Sequence, residues 1–147
     1  MKSVIIQADN FDKARKSIRE NKGKIIIFSS NNDELNKKIL EKEDIHILLL
    51  NLSSRKDRMK QRDSGFNHVL ARLAKKKNIS LGINLDEIIN SKPKEKSEIL
   101  ARVRQNIKLC NKNKLKMKVI SSEKRQEYDL KSLGLVLGMP TWMTKNL

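Results

Sequence analysis

Lys24-Ile25-Ile26-Ile27-Phe28-Ser29 sets four consecutive apolar side chains between polar ends. A strand with one wet face alternates apolar and polar residues, whereas a strand buried on both faces reads as an unbroken apolar run. This run is of the second kind. Four other short stretches rich in Val, Ile or Leu, residues 4–8, 45–50, 79–83 and 117–120, are read as strands with it. Between them apolar residues recur at helical spacing. Phe11, Ala14 and Ile18 share one face, and Leu35, Ile39 and Leu40 a second. Val69, Leu70, Leu73 and Ala74 form a third, and Ile99, Leu100, Val103, Ile107 and Cys110 a longer fourth. Leu130, Leu133, Val136 and Leu137 form the fifth, which Gly138 and Pro140 stop. Five βα units in series predict right-handed crossovers and a parallel α/β sheet, with residues 1–147 as a single domain.

Charge narrows the function. The chain has 147 residues and a formal net charge of +16. Residues 53–78 carry 9 basic and 2 acidic groups, and residues 92–118 carry 10 and 2, so two segments hold +15 of the total. Lysine used only for solubility is spread evenly, so this concentration points to a polyanion partner. Neither segment has the Trp- and Phe-rich face of an interfacial helix, which argues against a membrane surface. Cys110 is the single cysteine, which excludes an internal disulfide and any multi-Cys zinc site. No apolar run approaches the roughly 18 residues of a membrane span, and the first residues lack a signal-peptide pattern. A cytoplasmic protein is expected.

In parallel α/β folds ligands gather at the carboxyl ends of the strands. Those ends read Asp9-Asn10, Ser29-Ser30-Asn31, Ser53-Ser54-Arg55, Asn84-Leu85-Asp86 and Ser121-Ser122-Glu123. Helix capping accounts for most of them. The third and fifth run on into cations: Arg55, Lys56, Arg58, Lys60 and Arg62 on an irregular stretch read as a mobile surface loop, and Lys124-Arg125. Cations and N–H donors converging there suit phosphate. No Gly-rich phosphate fingerprint follows any strand. Of the two histidines, His46 lies in a strand run and reads as structural. His68 opens a helix beside the basic loop, where it contacts a phosphate or base, or else caps or packs. Asp9, Asp86 and Glu123 are the positions open to Mg²⁺, without the paired-carboxylate spacing that supports such a site. Cys110 falls on an apolar helix face and reads as core. Trp142 is a partner anchor if exposed and a lid over the core otherwise. Residue chemistry alone describes a non-catalytic α/β domain with a directed basic surface.

The second half carries a more specific pattern. Asp63-Ser64-Gly65-Phe66-Asn67-His68-Val69-Leu70-Ala71-Arg72-Leu73 is followed by Ile79-Ser80-Leu81-Gly82-Ile83-Asn84-Leu85, then Arg104, Asn106-Ile107 and Val119-Ile120-Ser121-Ser122. Asp129-Leu130-Lys131-Ser132-Leu133-Gly134 and Val136-Leu137-Gly138-Met139 close the series. In order and spacing these pieces resemble ribonuclease P protein component 3, the archaeal and eukaryotic family with a TIM-barrel-like fold. Five βα units do not complete the usual eight-stranded barrel, so the resemblance implies a shortened or incomplete barrel. Its open edges are expected to be covered by component 2, by RNA or by self-association.

The resemblance implies a subunit of ribonuclease P, the ribonucleoprotein endonuclease that removes the 5′ leader of precursor tRNA. On that reading the RNA subunit holds the catalytic Mg²⁺, and this chain binds no cofactor. With protein component 2 the chain braces the catalytic domain of the RNA and cuts nothing itself. Aromatics are 3% of the chain, too few for a stacking single-strand reader but sufficient for phosphate and shape recognition of folded RNA. Carried over by motif, the RNA-contacting candidates are Arg62, His68, Arg72, Ser121, Ser122 and Lys124. Charge and position add Arg55, Lys56, Arg58, Lys60 and Arg125, and Arg102, Arg104 and Lys108 as a second phosphate track or a solvated face. The sequence departs from the family where Gln61-Arg62 replaces an Arg-Lys pair, where the loop before it is longer, and where Tyr128 replaces a basic residue. The alternatives are a metal-dependent phosphoesterase of the polymerase-and-histidinol-phosphatase barrel type and another basic RNA-binding α/β module.

Overall fold

The computed structural model describes residues 2–147. Five strands alternate with helices in the order β1 (Ser3–Gln7), α1 (Phe11–Glu20), β2 (Ile25–Ser29), α2 (Asp33–Lys42), β3 (Ile47–Leu49), α3 (His68–Lys76), β4 (Ser80–Asn84), α4 (Leu85–Asn90), α5 (Pro93–Lys112), β5 (Met117–Ile120), α6 (Glu127–Leu137) and α7 (Thr141–Thr144). All five expected strands are present, with ends displaced by at most two residues. The helices α4 and α7 are additions to the sequence reading. At six and four residues they are too short to show a periodicity.

The sheet is parallel throughout, and its spatial order, β1-β2-β3-β4-β5, repeats the chain order. With one crossover hand, a sequential order puts every helix on the same face. Accordingly α1 touches α2, α2 touches α3, α3 touches α5 and α5 touches α6. Alternation along the strands sends Ile6, Ile26, Phe28, Leu48, Leu81, Ile83 and Met117 into the layer shared with Ala14, Ile39, Leu40, Leu70, Val103 and Ile107 of the helices. Complete burial of a side chain such as Phe28 contributes about 1.5–3 kcal/mol. The other face holds a smaller cluster from the sheet alone, Ile27, Ile47 and Leu49 with Ile25 and Ile120. Gly82 lies on that face, where a Cβ would come within 3.0 Å of both Ile47 and Leu49. One covered face and one inner face is barrel winding. Here the barrel is partial, with β1 and β5 as its two edges.

Asparagine starts four of the helices. The side chains of Asn10, Asn32, Asn67 and Asn84 accept N–H groups of the first turns of α1, α2, α3 and α4. Of the polar strand ends assigned to capping, those with Asn10 and Asn84 are caps, whereas Asn32 and Asn67 lie beyond the quoted stretches and α6 has no side-chain cap. Because Asn67 caps α3, His68 does not. His46 is structural: its Nδ1 accepts the Ile26 N–H at 2.9 Å, supplying from a side chain a bond that β3 would otherwise make. Gly138, at φ +103°, ends α6 in the left-handed conformation.

Candidate nucleic-acid interface

The loop between β3 and α3 holds five of the predicted cations, and it is tied down rather than mobile. Arg102 projects from α5 with its side chain almost wholly buried, and donates to the Leu52 and Arg55 carbonyls at 3.0 and 2.8 Å and to Asp57 at 3.1 Å. Asp57 also accepts the Asp63 N–H at 2.8 Å, closing the loop on itself. That bond, with Arg102, holds the Asp57 carboxyl below its ordinary value. Arg55 donates to both oxygens of Asp33 at 3.0 Å and to the Asn51 carbonyl at 2.7 Å, with Asp63 beyond at 3.7 Å. Its guanidinium lies against Gly65, whose φ of +71° and lack of a Cβ leave the room. Arg55 and Arg102 are thus drawn inward by carboxylates and carbonyls and are removed from the set of candidate RNA contacts.

The predicted rim at the strand ends is also corrected. Asp86 of α4 accepts the Ser122 N–H at 2.8 Å and the Ser121 hydroxyl at 3.1 Å. These bonds hold the Asp86 carboxyl below its ordinary value, the Ser122 N–H most strongly. Its neighbour Glu87 accepts the N–H groups of Leu52 and Ser53. One short helix therefore places a carboxylate on the donors following β3 and another on those following β5. The chain's own anions occupy the places proposed for phosphate. Arg125 turns to Ser121 at 3.4 Å and Glu123 at 3.5 Å, while Lys124 stays exposed on the rim.

The cations that remain outward gather along two adjoining grooves. The first, of about 980 Å³, runs between α2, the loop and the start of α3, and is lined among others by Lys37, Lys38, Arg58, Arg62 and His68. Glu34 and Glu41 also line it, so its charge is mixed. The second, of about 550 Å³, is lined by Arg62, Ser97, Leu100, Ala101, Arg104, Gln105 and Lys108, three cations with no carboxylate. Arg104 and Lys108 lie one turn apart on α5, and the small Ser97 and Ala101 leave the helix surface open to close approach. Arg62 joins the two grooves, and Gln105 fixes it by donating to its carbonyl at 3.1 Å. Among the described residues Arg58, Arg62, Arg104 and Lys108 form no salt bridge. Lys56, Lys60, Arg72 and Lys124 are exposed but do not line these grooves.

Sequence reading missed Lys37 and Lys38, because α2 intersperses them with Asp33, Glu34 and Glu41 and its net charge shows nothing. Lys38 sits over the Phe11 ring at 4.4 Å. Trp142 is half-buried against the core, donates to Asn111 at 3.0 Å and carries Lys114 over its ring at 5.5 Å, which is the lid arrangement and not an exposed anchor. Cys110 is fully buried, and burial pushes its thiol up to about 12. Among the described residues no three His, Cys, Asp or Glu are grouped to hold a metal ion, and no helix is long and apolar enough to cross a membrane.

The family model described as RNase P subunit p30 matches residues 4–144. The chain belongs to the RNase P subunit p30 family. Relatives named ribonuclease P protein component 3 include those of Methanococcus maripaludis strain C7, 27% identical over 146 residues, and Methanocaldococcus jannaschii, 29% identical over 131. These alignments cover 98% and 88% of this chain but 60% and 53% of the relatives, so the chain spans somewhat over half of their length. A chain in the cryo-EM structure of archaeal ribonuclease P with mature tRNA superposes with a TM-score of 0.79 at 25% identity, covering 97% of this chain and 62% of that one. The p30 family fold and the partial barrel thus agree.

Proposed function

We propose that this chain is a protein subunit of ribonuclease P that binds and braces the folded RNA, with the Mg²⁺ that cleaves precursor tRNA held by that RNA and not by the protein. The observation that carries this reading is the second groove: three cations without a carboxylate, on a p30 family fold. A row of unpaired guanidinium and ammonium groups on a rigid helix and a latched loop neutralises close-packed phosphates and releases their counterions. The proposed protein partner is component 2, and the proposed compartment is the cytoplasm. Arg62, Arg104 and Lys108 are the foremost phosphate contacts, with Arg58, His68, Lys37 and Lys38 continuing the track.

The test is precursor-tRNA cleavage by the cognate RNA at limiting Mg²⁺, with component 2 alone, this chain alone, and both. The pair is expected to lower the Mg²⁺ requirement, and the Arg62→Ala/Arg104→Ala/Lys108→Ala variant to lose that effect. In direct binding, the log–log salt slope of this variant is expected to fall by about one for each phosphate that is no longer neutralised. Full activity of the variant, with an unaltered slope, rejects the groove as the RNA-binding surface. The metal-dependent phosphoesterase alternative makes the opposite prediction: purified protein carries stoichiometric transition metal and hydrolyses a phosphoester without RNA.

A further inference from the structure

The basic loop ends in a hairpin with an unusual tip. Arg58 and Gln61 pair through their backbones, Arg58 N to Gln61 O at 2.9 Å and Gln61 N to Arg58 O at 3.3 Å. Met59 and Lys60 form the two-residue turn between them. Such turns favour Asn-Gly or another pair with positive φ, yet neither Met59 nor Lys60 has a positive φ. Turn formation therefore does not account for Met59. Packing does not either, because its side chain is fully exposed at 101%. A thioether side chain held in water gains nothing for the free protein, and its flexibility suits it to irregular apolar surfaces.

We infer that Met59 is an apolar RNA contact, inserted against the face of an unpaired or helix-end base while the cations beside it hold the phosphates. Arg58 and Lys60 flank Met59 in the chain and Arg62 follows two residues on, while the carboxylate of Asp57 is occupied by Arg102 and the Asp63 N–H. A positive collar around a protruding apolar side chain complements a nucleic acid, whose bases are apolar on their faces and whose edges are ringed with phosphate. Latching of the loop by Arg102 fixes the direction of the tip before binding, so less conformational freedom is surrendered when the RNA arrives. The inference rests on the RNA-binding reading above and adds to it an interaction that is not electrostatic.

The experiment uses the full chain and transcribed ribonuclease P RNA of the same source, with affinity measured across a salt series. Met59→Ala is expected to weaken binding about tenfold with the salt slope unchanged, since an apolar contact releases no counterion. Met59→Leu is expected to retain most of the affinity, and Arg58→Ala to lower the slope by about one. Wild-type affinity in Met59→Ala, or weaker binding accompanied by a lower slope, overturns the inference and leaves the groove reading intact. Unaltered RNA binding with loss of component 2 association overturns it in favour of a protein partner. A wild-type chain that does not bind the RNA overturns both readings together.

Discussion

Arg102 and Asp57 form one ion pair but do unequal work. Arg102 also satisfies the carbonyls of Leu52 and Arg55, whereas Asp57 is half-exposed and has water as a substitute partner. Arg102→Met is therefore expected to cost about 2–4 kcal/mol, because it leaves loop acceptors without donors in the interior. Asp57→Asn is expected to cost clearly less. Urea midpoints for the two variants check the order, and an equal loss in both removes the carbonyls from the account. Nothing in the spacing of basic residues separates Arg55 and Arg102, which are structural, from Lys56 and Arg104, which are outward. Their partners lie as far as 22 and 50 residues away in sequence, so the distinction exists only after folding. Cys110 was legible because one helix face suffices to bury it. With its thiol raised to about 12 and no solvent access, it is expected to resist a maleimide in the native state and to react on unfolding.

At the scale of elements, the strands were legible and α4 was not, for a physical reason. Residues 25–28 and 47–50 advertise burial on two faces through consecutive apolar side chains, a signal that needs only four positions. Six residues of helix give fewer than two turns, and Leu85-Asp86-Glu87 reads equally well as the polar end of a strand. Yet α4 anchors two neighbouring loops, Glu87 holding the one after β3 and Asp86 the one after β5. Asp86 and Asp57 both have carboxyls depressed by the folded state. Their stabilisation is complete above the unfolded value near pH ~4 and is lost as pH falls through the folded values. The Ser122 and Asp63 amide resonances are expected to shift in that acid window while those of α5 hold still. Amides that shift instead near neutrality argue against these carboxylates as their acceptors.

The whole molecule is a strongly basic partial barrel whose charge map was readable by segment, though not its confluence. Counting residues locates the excess at 53–78 and 92–118, but only the packing of the loop across α5 sets Arg62 beside Arg104 and Lys108. A field of this sign draws polyanions in before contact and loses reach as salt rises. The same screening bears on the free margin of β5. Lys118 lies on that strand and Lys116 at its foot, and like charges on an exposed strand keep two copies from zipping together. Molar salt, the ordinary means of stripping nucleic acid from a basic protein, shrinks the Debye length to about 3 Å and silences those two lysines. Purification thus works against itself: the wash that cleans the protein also disarms its guard against aggregation, and a return to low salt before concentration restores it.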